Sequence, residues 1–399
     1  MRHTLNNCNL NLQNLFTPLL STYFVTLCLA PSSVELIGFI TLFVIIILIV
    51  KKNELHFFWD PTLFSIFAFG IYSSAVNALG PGEVSRTGII YGWTVPFLIG
   101  KAFARFRATT MHKDMFICAF TLALFLLGAQ ILLMLDMPSL GSIDLNLNSL
   151  KLTFRNQTRT AIFAAVAALI CMTHITSGVS IRHLILAILS CASLIPALVL
   201  SGKRMTLWAF LACAGIIMIS RKHYRLICII LLATASLIFA LGQTQRFDLS
   251  PRQLLTSQGA IERFTVWHAA VEIFKEHPLT GSGFKTFQQA AVQHVANYRA
   301  THSQVHQYEN LNDAHNLFLH LLSESGLLGT LIFSLLFFFP MRNAWQHRTA
   351  NPASIPLLAS LILIALNSQL HVNIFATNVS GLLFLLAGAA NGIEAQKHT

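Results

Sequence analysis

Charge is what this sequence has least of. Asp, Glu, Lys and Arg together make up 10% of its 399 residues, against 55% hydrophobic residues. A soluble domain carries roughly 25% charged residues, so an ordinary globular domain is excluded. Cysteine chemistry is missing too. Cys28, Cys118, Cys171, Cys191, Cys213 and Cys228 lie in or beside apolar runs, Cys8 is near the start, and no CxxC pair occurs. The cysteines read as small apolar fillers, not as a disulfide scaffold or a metal site. No basic, aromatic-interleaved domain stands outside the apolar runs, which excludes nucleic acid as a partner. There is no internal repeat, low-complexity tract or appended soluble domain. The lack of two similar halves disfavours a common transporter plan.

What is present in their place is a series of apolar runs that approach a bilayer's thickness. Runs such as Ile40–Val50 and Ala119–Leu135 hold no charge. In hydrocarbon the backbone must satisfy its own hydrogen bonds, and such runs do so as helices. The fold class is therefore all-α and polytopic, with about twelve transmembrane helices. They are expected near 16–30, 33–50, 62–79, 87–105, 115–136, 158–176, 181–200, 205–220, 225–243, 326–340, 354–371 and 375–391. The first run lacks a strongly basic front and a clear cleavage site, so it reads as a span of the mature protein. Three regions follow: N-terminal spans (1–243), a long polar loop with amphipathic helices (244–325) and C-terminal spans (326–399).

The formal net charge is +11, large for so few charges, and it suits anionic lipids and phosphate-bearing substrates. The clusters Lys51-Lys52, Lys101/Arg105/Arg107/Lys113, Arg221-Lys222/Arg225 and Arg342/Arg348 fall on one side of the expected spans. The positive-inside rule makes that side cytoplasmic, with both termini. The long loop and a second polar loop (137–157, with Lys151 and Arg155) then lie outside. Lys203-Arg204 sits in a short outer turn, where cations are unusual. Two readings stay open there: snorkelling to lipid phosphates, and binding of an anionic substrate.

In the long loop, Phe264, Trp267, Val271 and Phe274 recur at helical spacing behind Arg263, predicting an amphipathic helix that rests on the membrane face. His277-Pro278 and Gly281-Ser-Gly283 stop it, and the Gly-x-Gly reads as a turn before it reads as a phosphate site. A second helix is expected from Phe287 to about Tyr298. His302 and His306 are four apart, but no third ligand has a recognisable spacing, so no metal site is assigned. Asp313 then reads as the N-cap of a helix with His315 in its first turn. A neutral imidazole there can take a proton from a hydroxyl, and Glu324 is the alternative base. His320 and Glu324, four apart, are expected to pair.

Ser201-Gly-Lys-Arg204, Arg263 with Trp267, His277-Pro-Leu-Thr-Gly-Ser-Gly-Phe284 and Asp313-Ala-His315-Asn316 through Gly329 together resemble the O-antigen ligase family, often called WaaL. The related O-antigen polymerases and protein O-oligosaccharyltransferases share the general pattern. The resemblance is densest over roughly 200–330. It departs at the turn, where Lys203 and Met205 stand in place of the family's usual serine and glycine. It implies a GT-C-like glycosyltransferase of the bacterial inner membrane that needs no metal or other cofactor. The implied donor is O-antigen polysaccharide on undecaprenyl pyrophosphate, and the implied acceptor is lipid A-core, joined on the periplasmic face.

Residue by residue, His315 is expected as general base. Arg204 and Arg263, with Lys203 as an accessory charge, are expected to bind the pyrophosphate, since guanidinium grips phosphate oxygens bidentately. Asp313 and Asn316 support the base. A single displacement inverts the anomeric carbon. An O-antigen polymerase and a protein O-oligosaccharyltransferase are the near alternatives. A transporter of lipid-linked glycans is the rival of a different class, but it calls for ionisable groups at mid-span, and those are scarce.

Overall fold

The computed structural model describes residues 17–28, 31–52, 54–80, 87–135, 157–176, 180–201, 203–222, 258–302, 311–369 and 372–393. All regular structure among them is helical: α1 Thr17–Cys28, α2 Pro31–Lys52, α3 Pro61–Leu79, α4 Thr87–Phe106, α5 Met111–Leu135, α6 Gln157–Ile175, α7 Ile181–Leu200, α8 Arg204–Ser220, α9 Gln258–Glu276, α10 Phe287–Thr301, α11 Leu317–Gln346, α12 Ser354–Ser368 and α13 Thr377–Asn391, with short 3₁₀ turns at Leu55–Phe58 and Asn373–Phe375. Six helices are long and apolar enough to cross a membrane, and four shorter apolar helices stand with them. The chain is a multi-pass α-helical membrane protein. Each expected run coincides with one of these helices except 225–243, which lies outside the described residues, as do Lys151, Arg155, Arg225, Arg246, Arg252, His306, Cys8 and Cys228.

Small residues set the closest crossing. Helices α4 and α13 form the most extensive pair. A Cβ on Gly100 would lie 1.9 Å from the Leu385 carbonyl oxygen, and one on Gly388 would lie 1.9 Å from that of Phe97. In lipid, where apolar burial drives little association between helices, such close backbone contact supplies the attraction.

The described basic clusters share one end of the bundle. Asp60 caps α3 by accepting from the amides of Thr62 (2.8 Å) and Leu63 (3.3 Å). The same carboxylate meets Lys101 Nζ at 2.9 Å and the Asn391 amide at 3.0 Å. Arg105 pairs with Glu54 at 2.9 Å, Arg107 with Asp114 at 3.0 Å, and Lys52 lies over the Phe106 ring. Arg348 stacks on Trp345 at 4.0 Å beside Cys213 and Ile217, which brings the ends of α8 and α11 to the same level.

A polar cap closes the opposite end. Helices α9, α10 and the start of α11 enclose their own core of Val266, Ala269, Ala270, Ile273, Phe287, Ala291, Val295 and Ala314. The apolar face expected to rest on the membrane is not the one packed in this core. Phe264 and Val271 are exposed, and the buried stripe of α9 is Val266, Ala269, Ala270 and Ile273. The physical reason is size: α9 packs against both α10 and α11, and small side chains let the three approach.

Candidate functional site

The His277–Phe284 turn is bolted to a break in α11. Gly326 (φ +60°) interrupts that helix, separating an outer segment from the long apolar span, where the sequence placed a boundary. The turn's backbone pairs with the break: Ser282 N donates to Ser323 O (2.9 Å), Gly283 N to Glu324 O (2.9 Å) and Leu327 N to Pro278 O (2.9 Å). Gly281 (φ +71°) faces Gly326. A Cβ on Gly281 would come 2.3 Å from the Glu324 carbonyl carbon, and one on Gly326 equally close to that of Leu279. The Gly-x-Gly is therefore a turn, as the sequence favoured, and its Ser282 and Gly283 amides serve the chain itself.

Two side chains of α3 hold this junction to the bundle. Asn77 accepts from Phe284 N (2.7 Å) and donates to Phe284 O (3.0 Å). Tyr72 Oη donates to Ser325 O at 2.7 Å. Both were passed over as site residues; the signal was a lone polar side chain in an apolar span, where an unsatisfied amide is costly. Glu324 is 2% exposed and its carboxylate is engaged: Oε2 accepts from Lys285 N (2.8 Å), Oε1 from Phe287 N (2.9 Å), and His320 Nε2 lies 3.4 Å away. The expected His320–Glu324 pair is thus present, and Glu324 satisfies the open amide end of α10.

His315 lies just outside α11, and this corrects the expected cap. Asn316 is the N-cap, its Oδ1 accepting from Leu319 N at 3.0 Å. Asp313 makes a tighter local turn: its Oδ1 accepts from His315 N at 2.7 Å and stands 3.0 Å from His315 Nδ1. His315 adopts left-handed backbone (φ +50°), so the helix begins three residues later than Asp313 capping requires, at Leu317 and not Ala314. Burial disfavours charge on Asp313, but hydrogen bonds from the His315 side chain and amide, with the charges of His315 and His320, outweigh it and hold the carboxyl below its usual range.

Ala314, beside His315, is buried in the cap core with Val266, three residues after Arg263. The cap thus joins the Arg263 helix to the His315 turn. Lys203 and Arg204 stand elsewhere, at the α7–α8 turn, with Lys203 as the N-cap residue of α8. They share the cap's end of the bundle. Thr206 Oγ1 donates to Asn367 Oδ1 at 2.6 Å, at the end of α12, and the chain then runs into Phe375, whose ring packs on Phe284 and His320. Among the described residues no group of three His, Cys, Asp or Glu side chains is arranged to hold a metal ion.

Fold and site together define a multi-pass membrane protein whose polar helical cap carries a carboxylate–imidazole pair at one end of the bundle. Residues 184–334, from α7 into α11, match the family described as O-Antigen ligase. The match implies enzymatic transfer of lipid-linked glycans, of the ligase or polymerase type. No curated protein matches the chain.

Proposed function

We propose that the chain is an O-antigen ligase, transferring polysaccharide from undecaprenyl pyrophosphate to a lipid A-core hydroxyl at the periplasmic face of the bacterial inner membrane. In this reading twelve spans place both termini in the cytoplasm, and the 244–325 loop faces the periplasm between the N- and C-terminal spans. The clustering of the described cations at the opposite end supports that orientation. The observation that carries the reading is the Asp313–His315 pair, held at the foot of the cap beside the Arg263 helix.

With Nδ1 donating to Asp313, the basic nitrogen of the neutral ring is Nε2. It takes the proton of the acceptor hydroxyl while that oxygen bonds to the anomeric carbon. The bond from the anomeric carbon to the phosphate oxygen breaks, and undecaprenyl pyrophosphate leaves. Asp313 fixes the ring's orientation and stands beside the imidazolium that forms; Asn316 holds the helix start. Arg204 and Arg263, with Lys203, neutralise the charge growing on the leaving diphosphate. One displacement inverts the sugar.

The test is product analysis with purified protein, lipid-linked glycan and lipid A-core, without nucleotide. A new covalent glycolipid is expected. His315→Ala should lose about 10²- to 10⁴-fold in rate, and Arg204→Ala or Arg263→Ala about 10²-fold or more. Arg204→Lys should recover only part, because a point charge lacks the planar fork. Full transfer by His315→Ala would remove the base. A lengthened glycan still on its polyprenyl carrier would identify a polymerase instead.

A further inference from the structure

A cavity of about 370 Å³ lies between α1, α2, α4 and α13 at the capped end, apart from His315, Arg204 and Arg263. Its volume is within the ~300–1,000 Å³ range of small-molecule sites. Tyr23, Glu35, Tyr91, Lys285, Phe375 and Ser380 supply its polar and aromatic wall. Tyr23 is 1% exposed, yet its hydroxyl has no hydrogen-bond partner among the described residues. A hydroxyl that opens into a cavity without a partner in the chain is free to bond a ligand or water. Lys285 and Glu35 likewise form no ion pair among the described residues.

The placement of Lys285 is imposed. Its backbone is left-handed (φ +64°), a conformation a side-chain-bearing residue adopts at some cost, and Glu324 holds its amide at 2.8 Å. The same Glu324 sits on the outer segment of α11 that follows the His315 turn, and Phe375 is shared between the cavity wall and the His320 ring. The cavity is thus built onto the reaction centre without being part of it. Transfer needs two substrates, and the two arginines answer the donor's diphosphate. Hydroxyls and a carboxylate suit sugar hydroxyls, aromatic rings suit the apolar face of a sugar, and a lysine suits an anionic substituent.

We propose that this cavity is the acceptor subsite, holding a phosphorylated saccharide of the acceptor glycolipid with Lys285 on its phosphate. The proposal rests on the transferase reading for the role of the ligand, while binding itself is measurable without turnover. Nanodisc-embedded protein would be titrated with lipid A-core and with phosphatase-treated lipid A-core, in the absence of donor. Wild type should bind the phosphorylated form about tenfold or more tightly, the order of one charge-assisted contact. Lys285→Asn keeps a residue that tolerates left-handed backbone; it should erase that preference and leave the affinity for the dephosphorylated form unchanged. Lys285→Arg should retain the preference. In transfer assays Lys285→Asn should raise KM for acceptor and not for donor. An intact phosphate preference in Lys285→Asn, or a KM change confined to the donor, overturns the proposal. If wild type binds as expected but forms no product, the transferase reading fails and the subsite stands as a glycolipid-binding site.

Discussion

At the scale of the residue, the pairing of Asp313 with His315 has a pH signature. The folded carboxyl is held below its usual range, so its contribution is present in full above the ordinary carboxylate pKa of ~3.9 and is lost as pH falls through the lower folded value. Thermal unfolding of wild type and Asp313→Asn should therefore differ most at neutral pH and converge in strong acid. A constant gap across that range would mean the carboxyl is not tuned by the pair. These residues were legible as a group but not in register. Asp313 and Asn316 are equally good caps by composition, and the choice is made by the left-handed turn at His315, which no spacing rule reveals. Glu324 was legible as an ionisable neighbour of His320. Its two bonds to backbone amides 37 and 39 residues away were not.

At the scale of the element, the glycine pair decides whether the cap stays seated. Gly281→Ala or Gly326→Ala puts a methyl group within 2.3 Å of facing backbone and also forces it into left-handed conformation. The conformation alone costs roughly 1–2 kcal/mol; the clash adds to it, because backbone cannot swing aside as a side-chain tip can. Either variant should unfold at lower temperature in detergent and be cut more readily by protease within 278–283. Unchanged melting would show that the turn and the break are not coupled. Helix positions were well marked in the sequence, since uninterrupted apolar runs leave the chain few alternatives in a bilayer. The buried face of α9 was not. In a chain that meets lipid, a large apolar side chain such as Phe264 carries no information about burial, and only the packing of small residues against α10 and α11 identifies the inner stripe.

At the scale of the whole molecule, helix α13 is a keystone: it crosses α4 at glycine contact, bonds to Asp60 through Asn391, and contributes Ser380 to the cavity. Gly388→Ala places its Cβ 1.9 Å from the Phe97 oxygen, whereas a Cβ on Gly215 meets nothing within 4 Å. The first should cost about 1–3 kcal/mol or more, seen as a lower melting temperature and a smaller monodisperse fraction on gel filtration. Gly215→Ala should behave as wild type. Equal behaviour of the two would deny the crossing its role. Span positions could be read along the chain because they are a one-dimensional property. Which helices touch depends on long-range pairing, and the α4–α13 crossing joins residues nearly three hundred positions apart.

The bolt between the His277–Phe284 turn and the Gly326 break also sets a depth gauge. Four backbone hydrogen bonds and the Asn77 clamp tie the cap to the apolar helices, so on the proposed reading the imidazole sits at one fixed altitude above the lipid. An acceptor is then selected by how far its nucleophilic hydroxyl projects from its own anchor. Sugars of the right identity on a stalk one residue too short would go unmodified.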